Sequence, residues 1–169
     1  MLYKLLKNIV GLSFNLLSLL LRGGLPPFAC VSTIVQEDER YLVVERANGE
    51  CVFPGGFMRW HEEPSQAARR EGQEETGFDL QIEDFVGYQS YATRSLLLPS
   101  NLTLIYRAVI TGGSLRESFE GKALWLSEGE LRERLSPIAQ EMLDIHQRYQ
   151  RQQRPVPPEI SQESTNKAK

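Results

Sequence analysis

Between Gly56 and Phe78 the chain reads GFMRWHEEPSQAARREGQEETGF, and three of its carboxylates, Glu71, Glu74 and Glu75, fall at i, i+3 and i+4. Wound into a helix, that spacing puts all three on one face. Glu71 then repels Glu74 and Glu75 across one turn, at about 0.2–0.5 kcal/mol per pair. Gly77 reads as the stop signal, so the acids also crowd the carbonyl-rich, negative end of the helix dipole. Arg70 can reach Glu74 at i+4, but one arginine cannot neutralise three acids. A bound divalent cation best supplies the missing charge.

The 169-residue chain as a whole narrows the setting. It is long enough for one domain with a genuine core and extensions. A net charge of −3 gives no reason to expect a nucleic-acid backbone as partner. Cys30 and Cys51 form no CxxC pattern, which fits a reducing, cytoplasmic compartment. His61-Glu62 could open an HExxH zinc motif, but Ser65 stands where the second histidine is needed. No internal repeat, Walker loop or GxGxxG loop is present.

Residues 1–25 form a separate block, a helix followed by a hinge. Lys4, Lys7, Asn8, Gly11, Asn15, Ser18 and Arg22 recur every three or four positions, opposite a wide leucine-rich face. The interruptions argue against a transmembrane span, and LRGGLPPF offers no convincing signal-peptide cleavage site. An interfacial membrane helix fits the pattern, giving peripheral contact with the cytoplasmic membrane face through residues 1–22. A helix packed on its own domain or on a partner subunit has the same periodicity.

Beyond the Gly23-Gly24 and Pro26-Pro27 hinge, Phe28 to Val35 and Arg40 to Glu45 read as strands joined at Glu37-Asp38, followed by a short strand Cys51-Val52-Phe53. Pro64 suits the first turn of the acidic helix, which should run to Thr76. Asp79 to Ser90, Asn101 to Thr111 and Ala123 to Leu126 read as further strands. Glu128 to Leu135 and Pro137 to about Gln150 read as helices, the second with Ile138, Met142 and Ile145 as an inward stripe. These elements predict an α/β domain over residues 26–151, helices covering a mixed sheet, with a disordered tail at 152–169.

The central stretch resembles the Nudix hydrolase family. Its box is a Gly, five residues, a Glu, seven residues, Arg-Glu, an apolar residue, any residue, Glu-Glu, any residue, Gly and an apolar residue. Gly56, Glu62, Arg70-Glu71, Glu74-Glu75, Gly77 and Phe78 fill those slots in register. Gly72 takes the first apolar slot, the one mismatch, and His61 stands where many members have glycine. The Phe53-Pro54-Gly55-Gly56 approach and Trp125 before an acidic helix also look Nudix-like. The resemblance covers roughly residues 28–150 and implies an α/β/α sandwich with a mixed sheet.

It further implies hydrolysis of the diphosphate linkage in a nucleoside diphosphate joined to another moiety, with Mg²⁺ or Mn²⁺. Hard cations of this kind prefer carboxylate oxygen. Glu71 and Glu75 would hold metal, with Glu74 as a further ligand or water-activating base, and the Gly56 carbonyl would add an oxygen. Arg70 would orient the glutamates and pair with Glu62. A general base on a loop outside the box is expected at Glu120, with Glu117 as understudy, although surface glutamates are common in loops. Trp60, Tyr88 and Tyr91 could stack on a base or simply line the rim, and Arg94 could face a phosphate or solvent. No subgroup marker follows the box, so the substrate stays open among ADP-ribose, nucleotide sugars and nucleoside triphosphates. Two competing readings remain, a non-catalytic nucleotide-sensing module tethered to a membrane and an interaction protein acting through its N-terminal helix.

Overall fold

Alternating apolar residues in β1 (Phe28–Glu37) feed two cores at once, because successive strand side chains point to opposite faces. Ile34 joins one apolar cluster with Tyr41, Val43 and Leu143, while Val31 and Val35 join clusters holding Ala67, Ala68, Leu42 and Leu80. The structure, a computed structural model, describes residues 2–93 and 95–153, with side chains from residue 9 onward. Arg94 and the tail from residue 154 lie outside the described residues.

Around β1 the other strands are β2 (Arg40–Glu45), β3 (Cys51–Val52), β4 (Gly55–Phe57), β5 (Phe78–Tyr91), β6 (Asn101–Gly113), β7 (Glu117–Ser118) and β8 (Gly121–Ser127). The sheet order is β5-β6-β1-β2-β8-β7, with β3 on β2 and β4 on β1. β1 and β6 run parallel, Phe28 opposite Asn101, and the other pairings are antiparallel. The expected mixed sheet is present, with the short strands β4 and β7 additional to those read from the sequence.

Four helices accompany it: α1 (Leu2–Leu20), α2 (Pro64–Thr76), α3 (Glu128–Arg134) and α4 (Pro137–Gln153). α2 runs as expected from Pro64 to Thr76 and stops at Gly77, whose φ of 82° is the left-handed conformation glycine adopts freely. Ala67 and Ala68 are fully buried side chains small enough to let it lie close on β1. α4 covers the opposite face, giving the α/β/α arrangement. Its inward stripe differs from expectation: Ile138 is 47% exposed, and Ala139, Met142, Leu143 and His146 point inward instead. Ile145 packs against the edge of that core. In the short connection from α3, the Leu135 N–H bonds to the Leu131 carbonyl and the Ser136 N–H to the Cys51 carbonyl.

Candidate active site

β4 and α2 build the site between them. Gly56 lies so close to α2 that a Cβ there would stand 2.7 Å from the Glu71 carboxyl carbon. A side chain at this position would have to displace that carboxylate. A cleft of about 670 Å³ opens here, lined by Gly56, Phe57 and Met58 on one side, Glu71 and Glu74 on the other, and Arg46, Arg59, Arg70 and Glu120 around them.

Arg70 organises the cleft floor. Its Nε and Nη2 donate to Glu62 Oε1 and Oε2 at 2.7 and 2.8 Å, a two-pronged pair. Nη1 reaches Glu71 Oε1 at 2.7 Å and Glu74 Oε2 at 3.2 Å, and Nη2 also meets the Phe57 carbonyl at 3.1 Å. The guanidinium holds the Glu62 carboxyl down at about 2, with help from the Arg59 N–H at 2.9 Å. The same acids raise Arg70 above its usual range. Arg59 Nη2 takes the other oxygen of Glu74 at 3.0 Å.

Glu75 is set apart from its two neighbours. It is 3% exposed, and its oxygens accept from the Gly55 N–H at 2.9 Å and from Arg46 Nη2 at 3.0 Å. Burial pushes its carboxyl up to about 7, against the opposing pull of Arg46 and the Gly55 N–H. Arg46 also donates from Nη1 to Glu120 Oε2 at 2.6 Å, tying the β7–β8 turn to the helix. No sequence signal marks Arg46 as part of the site. It lies just past β2, far from the acids in the chain, and its position before the Ala47-Asn48-Gly49 turn carries no catalytic signature.

The structure therefore brings Gly56, Arg70, Glu71, Glu74 and Glu120 around one cleft, while Glu75 lies buried behind its wall, bonded to Gly55 and Arg46. Glu117 lies on β7, 4.0 Å from Lys122 Nζ. Trp60, 88% exposed, stacks edge-on with His61, while Tyr88 and Tyr91 are exposed on β5. For a hard divalent cation the donor chemistry fits, since carboxylates and a backbone carbonyl are all oxygen donors against a glycine cradle. Among the described residues no three acidic, histidine or cysteine groups converge at metal-holding distance. Each carboxylate is turned to a guanidinium.

A second, smaller pocket of about 170 Å³ shares Arg46, Gly55 and Gly56 with the cleft and runs to the other face of the sheet, between Phe53, Thr103, Ile138 and Met142. It offers an apolar room beside the acidic one.

Comparison with known proteins matches residues 26–148 to the model of the NUDIX domain. A MutT-like protein of Streptomyces ambofaciens is 34% identical over 118 residues, which span 67% of this chain and 73% of the relative. An ADP-ribose pyrophosphatase of Methanocaldococcus jannaschii is 28% identical over 104 residues, 58% of this chain and 60% of that protein. A NUDIX hydrolase structure from Nitrosomonas europaea superposes with a TM-score of 0.65 at 22% identity, covering 73% of this chain and 90% of its own.

Proposed function

The chain belongs to the NUDIX domain family and is a Nudix-type hydrolase, and on that footing we propose that it cleaves the diphosphate linkage of a nucleoside diphosphate joined to another moiety, using Mg²⁺ or Mn²⁺. The observation that carries this reading is the placing of Glu71 and Glu74 with Gly56 at one cleft and of Glu75 behind Gly55, each carboxylate paired with an arginine. Such acids are stable when a positive partner is present, and a cation can exchange with the guanidinium groups.

When bound, the metal would polarise phosphoryl oxygens and make an attacking water more acidic. Glu71 and Glu75, with the Gly56 carbonyl, would hold it, and Glu74 would complete the set or take a proton from the water. Arg70 fixes the carboxylates through its bonds to Glu62, Glu71 and Glu74. Glu120, held by Arg46 at the cleft edge, is the other candidate for the water's proton. Water adds to phosphorus, the bridging P–O bond breaks, and the proton passes to the carboxylate while the bridging oxygen leaves on the second phosphate. The apolar pocket beyond Gly55 would take the non-phosphate part of the substrate. ADP-ribose-like compounds lead the candidates, given the named pyrophosphatase among its relatives. We propose further that it works in the cytoplasm, in peripheral contact with a membrane through residues 1–22.

A panel of ADP-ribose, nucleotide sugars and nucleoside triphosphates with Mg²⁺ or Mn²⁺, run on wild type and Glu75→Gln, tests the proposal. We expect turnover of at least one nucleoside-diphosphate compound, lost with chelator and reduced at least about hundredfold by Glu75→Gln, beyond the 10–100-fold of an outer-shell change. Undiminished turnover in Glu75→Gln removes the metal assignment. Tight nucleotide binding with no turnover of any compound favours the sensing module.

A further inference from the structure

Two residues of the polar stripe of α1, Gly11 and Asn15, face the domain. Gly11 is buried against the loop after β5, where a Cβ would stand 2.3 Å from the Leu97 carbonyl oxygen. One turn on, Asn15 Nδ2 donates to the carbonyls of Ser95, Leu96 and Leu98 at 3.2, 3.0 and 3.0 Å. Phe14 stacks on Phe28 at 4.4 Å between centroids. These bonds clasp the loop and turn the leucine face outward. Leu16, Leu19 and Leu20 of α1 and Leu96, Leu97 and Leu98 of the clasped loop are all between 40% and 80% exposed. An apolar surface of this breadth on a domain marks an interface.

Charge identifies its occupant. Residues 1–36 hold Lys4, Lys7 and Arg22 and no Asp or Glu, in a chain of net charge −3. Two copies joined through this face would bring two wholly basic segments together with no acid to offset them. An anionic bilayer supplies the complementary sign. Among the described residues no helix is long and apolar enough to cross a membrane, so the helix belongs in the headgroup plane.

We propose that α1 and the Leu96–Leu98 loop form one two-part surface that seats the protein on an anionic lipid bilayer. This rests on the membrane contact proposed above and adds the loop, the outward leucine face and the inward polar clasp. The ring contacts continue from Phe28 to Phe57 at 5.4 Å, and Phe57 lines the acidic cleft. The helix that meets the lipid thus braces the wall of the cleft.

Co-sedimentation of the full chain with phosphatidylcholine vesicles, with and without phosphatidylglycerol, tests the surface. Two double variants are compared with wild type, Leu16→Glu with Leu20→Glu on the helix and Leu96→Glu with Leu98→Glu on the loop. We expect binding that requires phosphatidylglycerol and weakens with salt, and a loss of about tenfold or more in each double variant. Circular dichroism and turnover of a water-soluble substrate should match wild type. Wild-type binding by the loop variant overturns the two-part surface and leaves attachment through α1 standing. Wild-type binding by the helix variant overturns both. Failure of the unaltered chain to bind vesicles, with a concentration-dependent dimer that the helix variant abolishes, replaces the lipid with a second copy.

Discussion

Leu80 fills the place of the side chain that Gly72 lacks. A Cβ on Gly72 would stand 2.3 Å from Leu80 Cδ1 and 3.2 Å from its Cγ. Leu80, from β5, is buried beside Val35, Leu42 and Ala108. The apolar contact that the family obtains from the helix is delivered here from the sheet, so the mismatch in the box is a relocation of packing.

Gly72→Leu should therefore destabilise the protein by about 1–3 kcal/mol through overpacking, despite the gain in helix propensity of up to about 1 kcal/mol over glycine. Leu80→Ala alone should cost about 2–5 kcal/mol as a cavity. The double variant should cost at least about 1 kcal/mol less than the two singles together, since each change relieves the other. Urea unfolding of the three variants measures this coupling. Simple additivity would mean that the two positions do not share the space.

The acidic helix could be read from the chain because its signals are local: a proline at the first turn, a glycine stop and a three-acid face. The mixed sheet followed from alternation and turn chemistry. Arg46 could not be read, because its bond to Glu75 spans 29 positions and exists only after β2 and α2 dock. The orientation of α1 escaped for another reason. Periodicity locates a polar stripe but assumes that it faces water, whereas Gly11 and Asn15 are needed inside, one for closeness and one to satisfy loop carbonyls. The same blindness hid His146, a polar residue on the inward face of α4.

His61 adopts φ 63°, in the left-handed region, at the position where many Nudix members carry glycine. That conformation costs an L-residue about 1–2 kcal/mol, while glycine adds about 0.4–1 kcal/mol of unfolded-state entropy. The strain is the larger effect, so His61→Gly should stabilise by about 0.5 kcal/mol, with the exposed ring contact to Trp60 offsetting part of the gain. Thermal unfolding checks the sign. A drop in Tm would show that the Trp60–His61 contact outweighs the backbone strain.

Arg70→Lys removes the fork that grips both oxygens of Glu62, and a single ammonium cannot reproduce it. Glu62, held at about 2 against an ordinary value of 4.5, favours the folded state fully above pH 4.5 and loses that contribution as pH falls toward 2. The stability gap between wild type and Arg70→Lys should thus be widest above pH 4.5 and narrow below it. Turnover should fall at least about tenfold at saturating metal, since the glutamates lose their common anchor. Parallel pH–stability curves would show that the Glu62–Arg70 pair is not the source of the difference.

His146 is fully buried on α4, its ring meeting the edge of Tyr41 at 6.3 Å, and among the described residues neither ring nitrogen has a hydrogen-bond partner. Burial first, and the positive charge of Arg107 second, hold its imidazole down at about 4. An unfolded chain binds that proton near pH 6.5, so between pH 6.5 and 4 the unfolded state carries more protons than the folded one. Stability must then fall as the pH drops through that window, by about 3 kcal/mol at its lower end. His146→Leu abolishes this titration and also removes two unsatisfied polar atoms from the core. The variant should match or exceed wild type at pH 7.5 and lead it by about a further 2 kcal/mol at pH 5. Urea unfolding at pH 7.5, 6 and 5 reads the difference. Curves that stay parallel across the three values would move the acid sensitivity away from His146 and require that its ring finds a proton acceptor in solution.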